Sequence, residues 1–429
     1  MSSIKDRLFE QIERIPVIDT HEHLPHCEEA REKHTDVLRE YLIHYMSSDL
    51  MSAGLTRDLF SKIVDPSIPI SQRWEWVEPY WEVCRYTGYG RALDISVKGI
   101  YGIDGVRRNT IEELNRAFLG SLKEGHFRHV LKDLCGIRIS LLDGFGGRFE
   151  CDRSLFRRVW RPCHYILPRS GAAIESVERT YGVSIRSLDD WTDAFEKELA
   201  DALDHGAVAL KTGLAYERSL RFEEVDYNTA KGAFASCIDG WERGGRRGDA
   251  QIVFPVDLQD YMMHFILGKA SERNLTFQFH TGLQEGNGNI VTNSDPALLT
   301  NLFMKYPDVD FDVFHIGYPF QHVVSALCKN FPNVFIDMCW AHIISPAAVR
   351  DALSDYLDAV PYNKISAFGG DYCFIDGVYG HLRLARENVS KVLSDKVDEG
   401  IFSEDKALEI AKALFYENPF RIFKLQGKL

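Results

Sequence analysis

Ile15–Leu24, IPVIDTHEHL, is a short β-branched run that closes on a His-x-His pair. Such a run, with Pro16 near its start, reads as a buried strand, and His21 and His23 share a face because alternate side chains of a strand do so. The same pattern recurs downstream. VALKTGL delivers Lys211, FQFHTG delivers His280, VFHIGYP delivers His315 and FGGDY delivers Asp371, each just after an apolar, β-branched or aromatic run. Reactive side chains at the carboxyl ends of successive strands are the arrangement of a (β/α)8 barrel.

Eight strand candidates follow in order: Ile15–Thr20, Leu134–Leu142, Cys163–Leu167, Ala207–Leu210, Thr276–Phe279, Val309–Phe314, Asn333–Met338 and Ile365–Phe368. Amphipathic helical stretches such as Ala297–Tyr306 and Gln321–Asn330 separate them, and strands alternating with helices make a parallel sheet. No GxGxxG follows a strand, which argues against an open dinucleotide-binding sheet. The fold class is therefore α/β, a TIM-like barrel with a helical insertion after its first strand. The 429 residues read as one elaborated domain, since such a barrel takes about 250 residues.

Residues 24–131 form the insertion, rich in helices and aromatics (Trp74, Trp76, Tyr80, Trp81, Tyr86), with Thr110 placed to cap a helix over Ile111–Leu122. Its position directly after the histidine pair suggests a lid or pocket wall. A second irregular stretch carries GWERGGRRGD, which follows no strand and reads as an exposed turn.

Composition excludes several classes. Lys and Arg total 50 against 63 Asp and Glu, and a net charge of −13 repels nucleic acid and anionic membranes. The amino-terminal MSSIKDRLFEQIERIP lacks the pattern of a secretory signal, and no run of about 18 apolar residues occurs to span a bilayer. Nine dispersed cysteines without a CxxC pair fit reduced thiols in the cytoplasm. Large barrels commonly associate, which leaves room for a homo-oligomer.

Imidazoles and a carboxylate converging on one barrel end make a site for a divalent metal; zinc suits them best, with manganese, iron and nickel also compatible. The order His-x-His, Lys, His, His, Asp on strands one, four, five, six and eight resembles the amidohydrolase superfamily. LKTGLAYERSL, FHTG, HIGYPF and the closing ENPFRIFKL are similar to its amidohydrolase-2 subgroup, which includes the amidohydrolase-like part of proteins fused to a glutamine-synthetase-like domain. YLIHYMSSDLMSAGL resembles uronate isomerases. The resemblance implies that His21, His23 and Asp371 hold a first ion, and that a carboxylated Lys211 bridges to a second held by His280 and His315. Some relatives hold a single ion, with the strand-six histidine, here His315, catalytic. Lys211 could equally stay an ammonium that grips a substrate carboxylate.

The expected activity is hydrolysis of an amide, lactone or related bond in a small polar substrate by metal-activated water, with Asp371 shuttling the proton. The alternative is a uronate isomerase or metal-dependent lyase or decarboxylase acting on a carboxylated small molecule, with Arg138 or Arg218 holding the carboxylate. Substrate-binding candidates are Arg138, Tyr216, Glu285, Asn287 and Tyr318, with Gln284, Asn289, Trp340 and His342 as further polar groups near strand ends. His26, His44, His126, His129 and His322 read as surface or packing residues.

Overall fold

The computed structural model describes residues 3–145 and 150–428. Eight parallel strands pair in chain order: β1 Val17–Glu22, β2 Ile137–Asp143, β3 Phe156–Trp160, β4 Ala207–Thr212, β5 Thr276–Phe279, β6 Phe311–Val313, β7 Val334–Asp337 and β8 Ile365–Ser366. The residues that follow β8 close the sheet on β1. The Thr20 N–H donates to the Phe368 carbonyl (3.1 Å), Asp371 donates to His21 (2.8 Å) and His23 donates to Tyr372 (3.1 Å). This is the expected (β/α)8 barrel.

Apolar residues fill the amino-terminal end of the barrel. Ile18, Ile139, Leu141, Val159, Val208 and Phe335 pack there against Ile422, Phe423 and Leu425 of the carboxyl-terminal segment, and the Thr276 hydroxyl donates to the Ile422 carbonyl (2.6 Å). The barrel interior at that end is thereby apolar.

The third strand departs from expectation. Cys163–Leu167 is not a strand: Cys163–Ile166 forms a helical turn after Pro162, and the strand is FRRVW at Phe156–Trp160. Proline lacks the N–H that a sheet ladder needs, while the adjacent Arg157 and Arg158 conceal the strand's alternation. The second strand also begins later, at Ile137, because Gly136 at φ 67° ends the helical turn before it. Gln321–Asn330 is helical as expected, whereas the 297–306 stretch splits into a 3-10 turn, Pro296–Leu299, and a short helix, Thr300–Lys305. GWERGGRRGD ends the helix Tyr227–Arg243 and turns. The nine cysteines are free thiols, and no described helix is long and apolar enough to cross a membrane.

Between β1 and β2 lie the helices Val37–Leu42, Tyr45–Ser52, Arg57–Ile63, Ile70–Cys84, Gly88–Tyr101 and Ile111–Gly120. The Thr110 side chain does not cap the last of these; its hydroxyl donates to the Gly105 carbonyl (2.7 Å). Trp74 and Trp81 are buried, whereas Tyr86 is exposed, so most of the aromatic run is packing within these helices.

One carboxylate docks the helices onto the barrel. Asp376, at the start of the helix Ile375–Asp398 that follows β8, accepts hydrogen bonds from the Tyr41 (2.8 Å) and Tyr101 (2.7 Å) hydroxyls and from His126 Nε2 (2.7 Å). The Ser96 hydroxyl donates to its backbone carbonyl (2.6 Å). Close approach is enforced beside it, where any Cβ on Gly380 would collide with the Ala92 carbonyl oxygen. Burial alone would raise the Asp376 pKa, but the His126 bond and charge, with Arg31 and Tyr101, hold it below the usual carboxylate value. Stabilisation from such a depressed group is present above its ordinary pKa and is lost as the pH falls through the folded value. Asp376→Asn should therefore lower stability at neutral pH by about 3 kcal/mol and flatten its acid dependence. Urea titrations at several pH values check this; an unchanged midpoint at neutral pH would refute the anchor.

Candidate metal centre

Backbone geometry at the carboxyl ends aims the polar residues. The β1–β2 register slips between Asp19 and Glu22, an irregularity of the kind that redirects side chains, and both His21 and His23 reach Asp371. Just past β6, β7 and β8, His315 (φ 62°), Trp340 (φ 59°) and Asp371 (φ 57°) all take the left-handed conformation. Non-glycine residues in this region carry strain that surrounding structure must hold, and such residues gather at functional sites.

Four imidazoles are each pinned through one ring nitrogen. His23 Nδ1 lies 2.8 Å from the Asp143 carbonyl, His280 Nε2 2.9 Å from Leu283 O and His315 Nδ1 2.9 Å from Cys339 O. His21 Nδ1 lies 3.2 Å from Gln278 Oε1, whose orientation is fixed because Gln278 Nε2 donates to the Thr20 carbonyl at 3.0 Å. A carbonyl oxygen only accepts, so each pinned nitrogen carries the proton and the other presents a lone pair. Those lone pairs converge. His280 Nδ1 and His315 Nε2 stand 3.0 Å apart, while His23 Nε2 is 3.3 Å and His21 Nε2 3.7 Å from Asp371 Oδ1. Lone pairs facing one another and a carboxylate repel unless a cation lies among them.

Burial dominates the titration of these groups. It is the first cause holding His21, His280 and His315 well below the usual histidine range and His23 at about 4. Burial also lowers Lys211 to about 8, against the opposing pull of Asp371. Its Nζ is 3.5 Å from His21 Nε2 and 3.6 Å above the Phe314 ring centroid. Asp371 is raised to about 7, again by burial, with Lys211 opposing. Neutral imidazoles, a poised amine and a poised carboxyl are donors that suit a divalent cation. The ligand atoms of His21, His23 and Asp371, and separately of His315, Cys339 and Asp371, lie within 4.8 Å of one another.

A cavity of about 350 Å³ opens onto this cluster, lined by His23, Lys211, His280 and Asp371 together with Tyr216 and Glu285. The structure thus gathers all six expected ligands and two of the substrate-binding candidates. Three others lie elsewhere. Arg138 is the exposed second residue of β2, at the amino-terminal end of the barrel. The Asn287 amide donates to Ser48 O and Ser52 Oγ of the inserted helices (3.2 and 3.3 Å). Tyr318 contributes its carbonyl to the Leu283 N–H (2.6 Å) and does not line the cavity. Arg218 pairs with Asp260 at 2.7 Å, and His342 is buried against the Ala367 carbonyl at 2.8 Å.

Four residues near the cluster escaped the sequence reading. Arg161, directly after β3, reaches into the cavity and pairs with buried Asp143 at 2.6 Å. Asp143 ends β2, and its Oδ2 is 3.7 Å from His21 Nε2; burial raises its pKa, but Arg161, His23 and Lys211 outweigh this and leave it lowered. Arg161 was hidden by the misplaced third strand. His44 and Tyr45, from the insertion, also line the cavity, contrary to the packing role expected for His44. The Tyr45 hydroxyl donates to the Asp371 carbonyl (2.5 Å), and its ring stacks on Trp340 at 4.6 Å.

Protein fluG of Emericella nidulans is 29% identical over 161 residues, spanning 37% of this chain and 18% of that protein. A uronate isomerase of Cutibacterium acnes is 22% identical over 307 residues, covering 66% of this chain and 63% of its own length. The glucuronate isomerase of Caulobacter crescentus superposes with a TM-score of 0.77 at 17% identity, over 98% of this chain and 94% of that one, which is a likeness of fold. The family model described as Amidohydrolase matches residues 186–425, a stretch that takes in Lys211, His280, His315 and Asp371, and the chain therefore belongs to the amidohydrolase family, within a superfamily of metal-dependent enzymes.

Proposed function

We propose that the chain holds one or two divalent ions at the carboxyl end of its barrel and isomerises a small hydroxylated carboxylic acid of the uronate type. The observation that carries this reading is Arg161. Its guanidinium lines the cavity and gives an anionic substrate one fixed cation besides any metal, and a planar guanidinium suits a carboxylate; Lys211 adds a second only where it is not carboxylated. The cavity volume of about 350 Å³ falls within the range of small-molecule sites. The names of the uronate and glucuronate isomerases among the similar proteins support the same substrate class.

His21, His23 and Asp371 would hold the first ion. His280, His315 and a carboxylated Lys211 would hold the second, with zinc, manganese, iron or nickel all compatible with the donors. When bound, the ion polarises a substrate carbonyl and stabilises charge on its oxygen. In an aldose–ketose isomerisation one proton moves from C2 to C1 and another from the C2 oxygen to the C1 oxygen, with no atom gained or lost. Asp371, whose carboxyl lies beside His23 and His21 and lines the cavity, is placed to take up and return a proton. His44 and Tyr45 make residues 24–131 a wall of the substrate pocket.

Hydrolysis of a carboxylated lactone or amide is the second reading. It is favoured by the Asp371 carboxyl lying 3.3 Å from the His23 lone pair, where it would accept a proton from water.

His21→Ala, His23→Ala or Asp371→Ala should each abolish turnover and lower metal content, since a lost ligand is rarely compensated. Elemental analysis checks this, and full metal retention in any of the three would refute the centre. Lys211→Ala should leave about half the metal if the lysine bridges two ions, whereas unchanged stoichiometry would assign it to the substrate. Arg161→Ala should raise KM for D-glucuronate by about tenfold or more, with metal content unchanged. Assay of D-glucuronate isomerisation beside hydrolysis of neutral and carboxylated lactones separates the two readings, and equal loss on neutral and carboxylated substrates would remove Arg161 from carboxylate binding.

A further inference from the structure

A basic cavity lies at the other end of the barrel. A cavity of about 580 Å³ opens beside the amino-terminal ends of β3, β4 and β5. Arg153, Arg157, Arg158, Arg273 and Lys428 line it together with His205, and among the described residues none that lines it carries a carboxylate. Two acids face His205, with Glu150 at 3.7 Å and Asp201 at 3.4 Å. This clustering of positive charge stands out in a chain of net charge −13.

The cavity has a built frame. Arg157 fastens two of its edges, with Nη1 donating to the Arg153 carbonyl (2.5 Å) and Nε to the Lys428 carbonyl. Burial first, and Arg153 after it, holds the Arg157 pKa below the usual value. Arg153 and Arg273 are exposed, and among the described residues neither has an acidic partner within ion-pair distance.

Such a frame fits a compact multivalent anion. Guanidinium forks bind phosphate oxygens in pairs, and each such bond is stronger for carrying charge on both sides. The volume exceeds that of a bare phosphate ion and lies in the range of metabolite sites. We propose that this cavity is a second binding site, separate from the metal centre, for a small molecule carrying two or more phosphate groups. The site lies at the opposite end of the barrel from the metal centre, so it stands or falls independently of the uronate reading.

Fructose 1,6-bisphosphate serves as the probe in calorimetric titrations at fixed ionic strength, with glucose as the uncharged control and a short single-stranded oligonucleotide as the polymeric anion. The metal-loaded natural chain and the metal-loaded double variant Arg153→Glu with Arg273→Glu are compared with His23→Ala, whose metal centre is impaired. The natural chain and the His23→Ala form should bind the bisphosphate alike, and the double variant about tenfold or more weakly. The double variant should keep its metal content and turnover, because its changes lie on the exposed rim. Absence of saturable binding, equal affinity in the double variant, or loss confined to His23→Ala would each overturn the assignment. Tighter binding of the oligonucleotide than of the bisphosphate would overturn it in favour of a nucleic-acid surface.

Discussion

Everything at the reactive end depends on where four protons sit. Main-chain carbonyls at Asp143, Leu283 and Cys339, and the side-chain amide of Gln278, each engage one nitrogen of an imidazole. The opposite nitrogens are thereby committed as acceptors before any ligand arrives. A histidine free to rotate or to exchange tautomers would lose entropy and reorganise on binding a cation; these four would not. The barrel provides this preorganisation cheaply, because the carbonyls belong to strand ends and connecting loops whose positions are set by the sheet.

The same economy governs the inserted helices. They reach the site through His44 and Tyr45, yet their attachment is made several residues past Asp371, where Asp376 gathers two tyrosine hydroxyls and a histidine. The segment after β8 therefore carries Asp371 of the cluster and, five residues later at the start of the next helix, the Asp376 carboxylate that docks the inserted helices. Tyr45 links the two directly by donating to the Asp371 carbonyl (2.5 Å). The left-handed backbone of Asp371 is thus tied to the inserted helices, and its strained conformation persists only while its neighbours enforce it.

Charge is divided between the barrel's ends. At the carboxyl end cations and carboxylates alternate closely: Arg161 pairs with Asp143 (2.6 Å), and Lys211 lies near both Asp143 and Asp371 in the balance that sets their titration. At the amino-terminal end basic side chains gather around one cavity, and the barrel interior between is closed by Ile422, Phe423 and Leu425. An apolar plug of this kind keeps the two electrostatic environments apart, since it excludes the water and ions that would otherwise connect them.

The sequence by itself determined the barrel and its six candidate ligands, because both depend on local pattern: a short apolar run reads as a strand, and the residue just beyond it falls at the strand's carboxyl end. Where the local pattern was ambiguous the reading slipped. Two adjacent arginines obscured FRRVW, the apolar CHYIL took its place, and Arg161 went unseen as a consequence. Arg138 sits near the wrong end of its strand, a difference of a few residues that a strand's limits in sequence do not resolve. Only the tertiary structure decided which groups meet across long separations. His44 and Tyr45 carry no strand-end signature and enter the cavity solely through helix packing. Asp376 collects partners from three separate helices, and the basic cavity assembles from segments far apart in the chain. Such contacts depend on how helices and loops pack in three dimensions, which the order of residues along one strand does not encode.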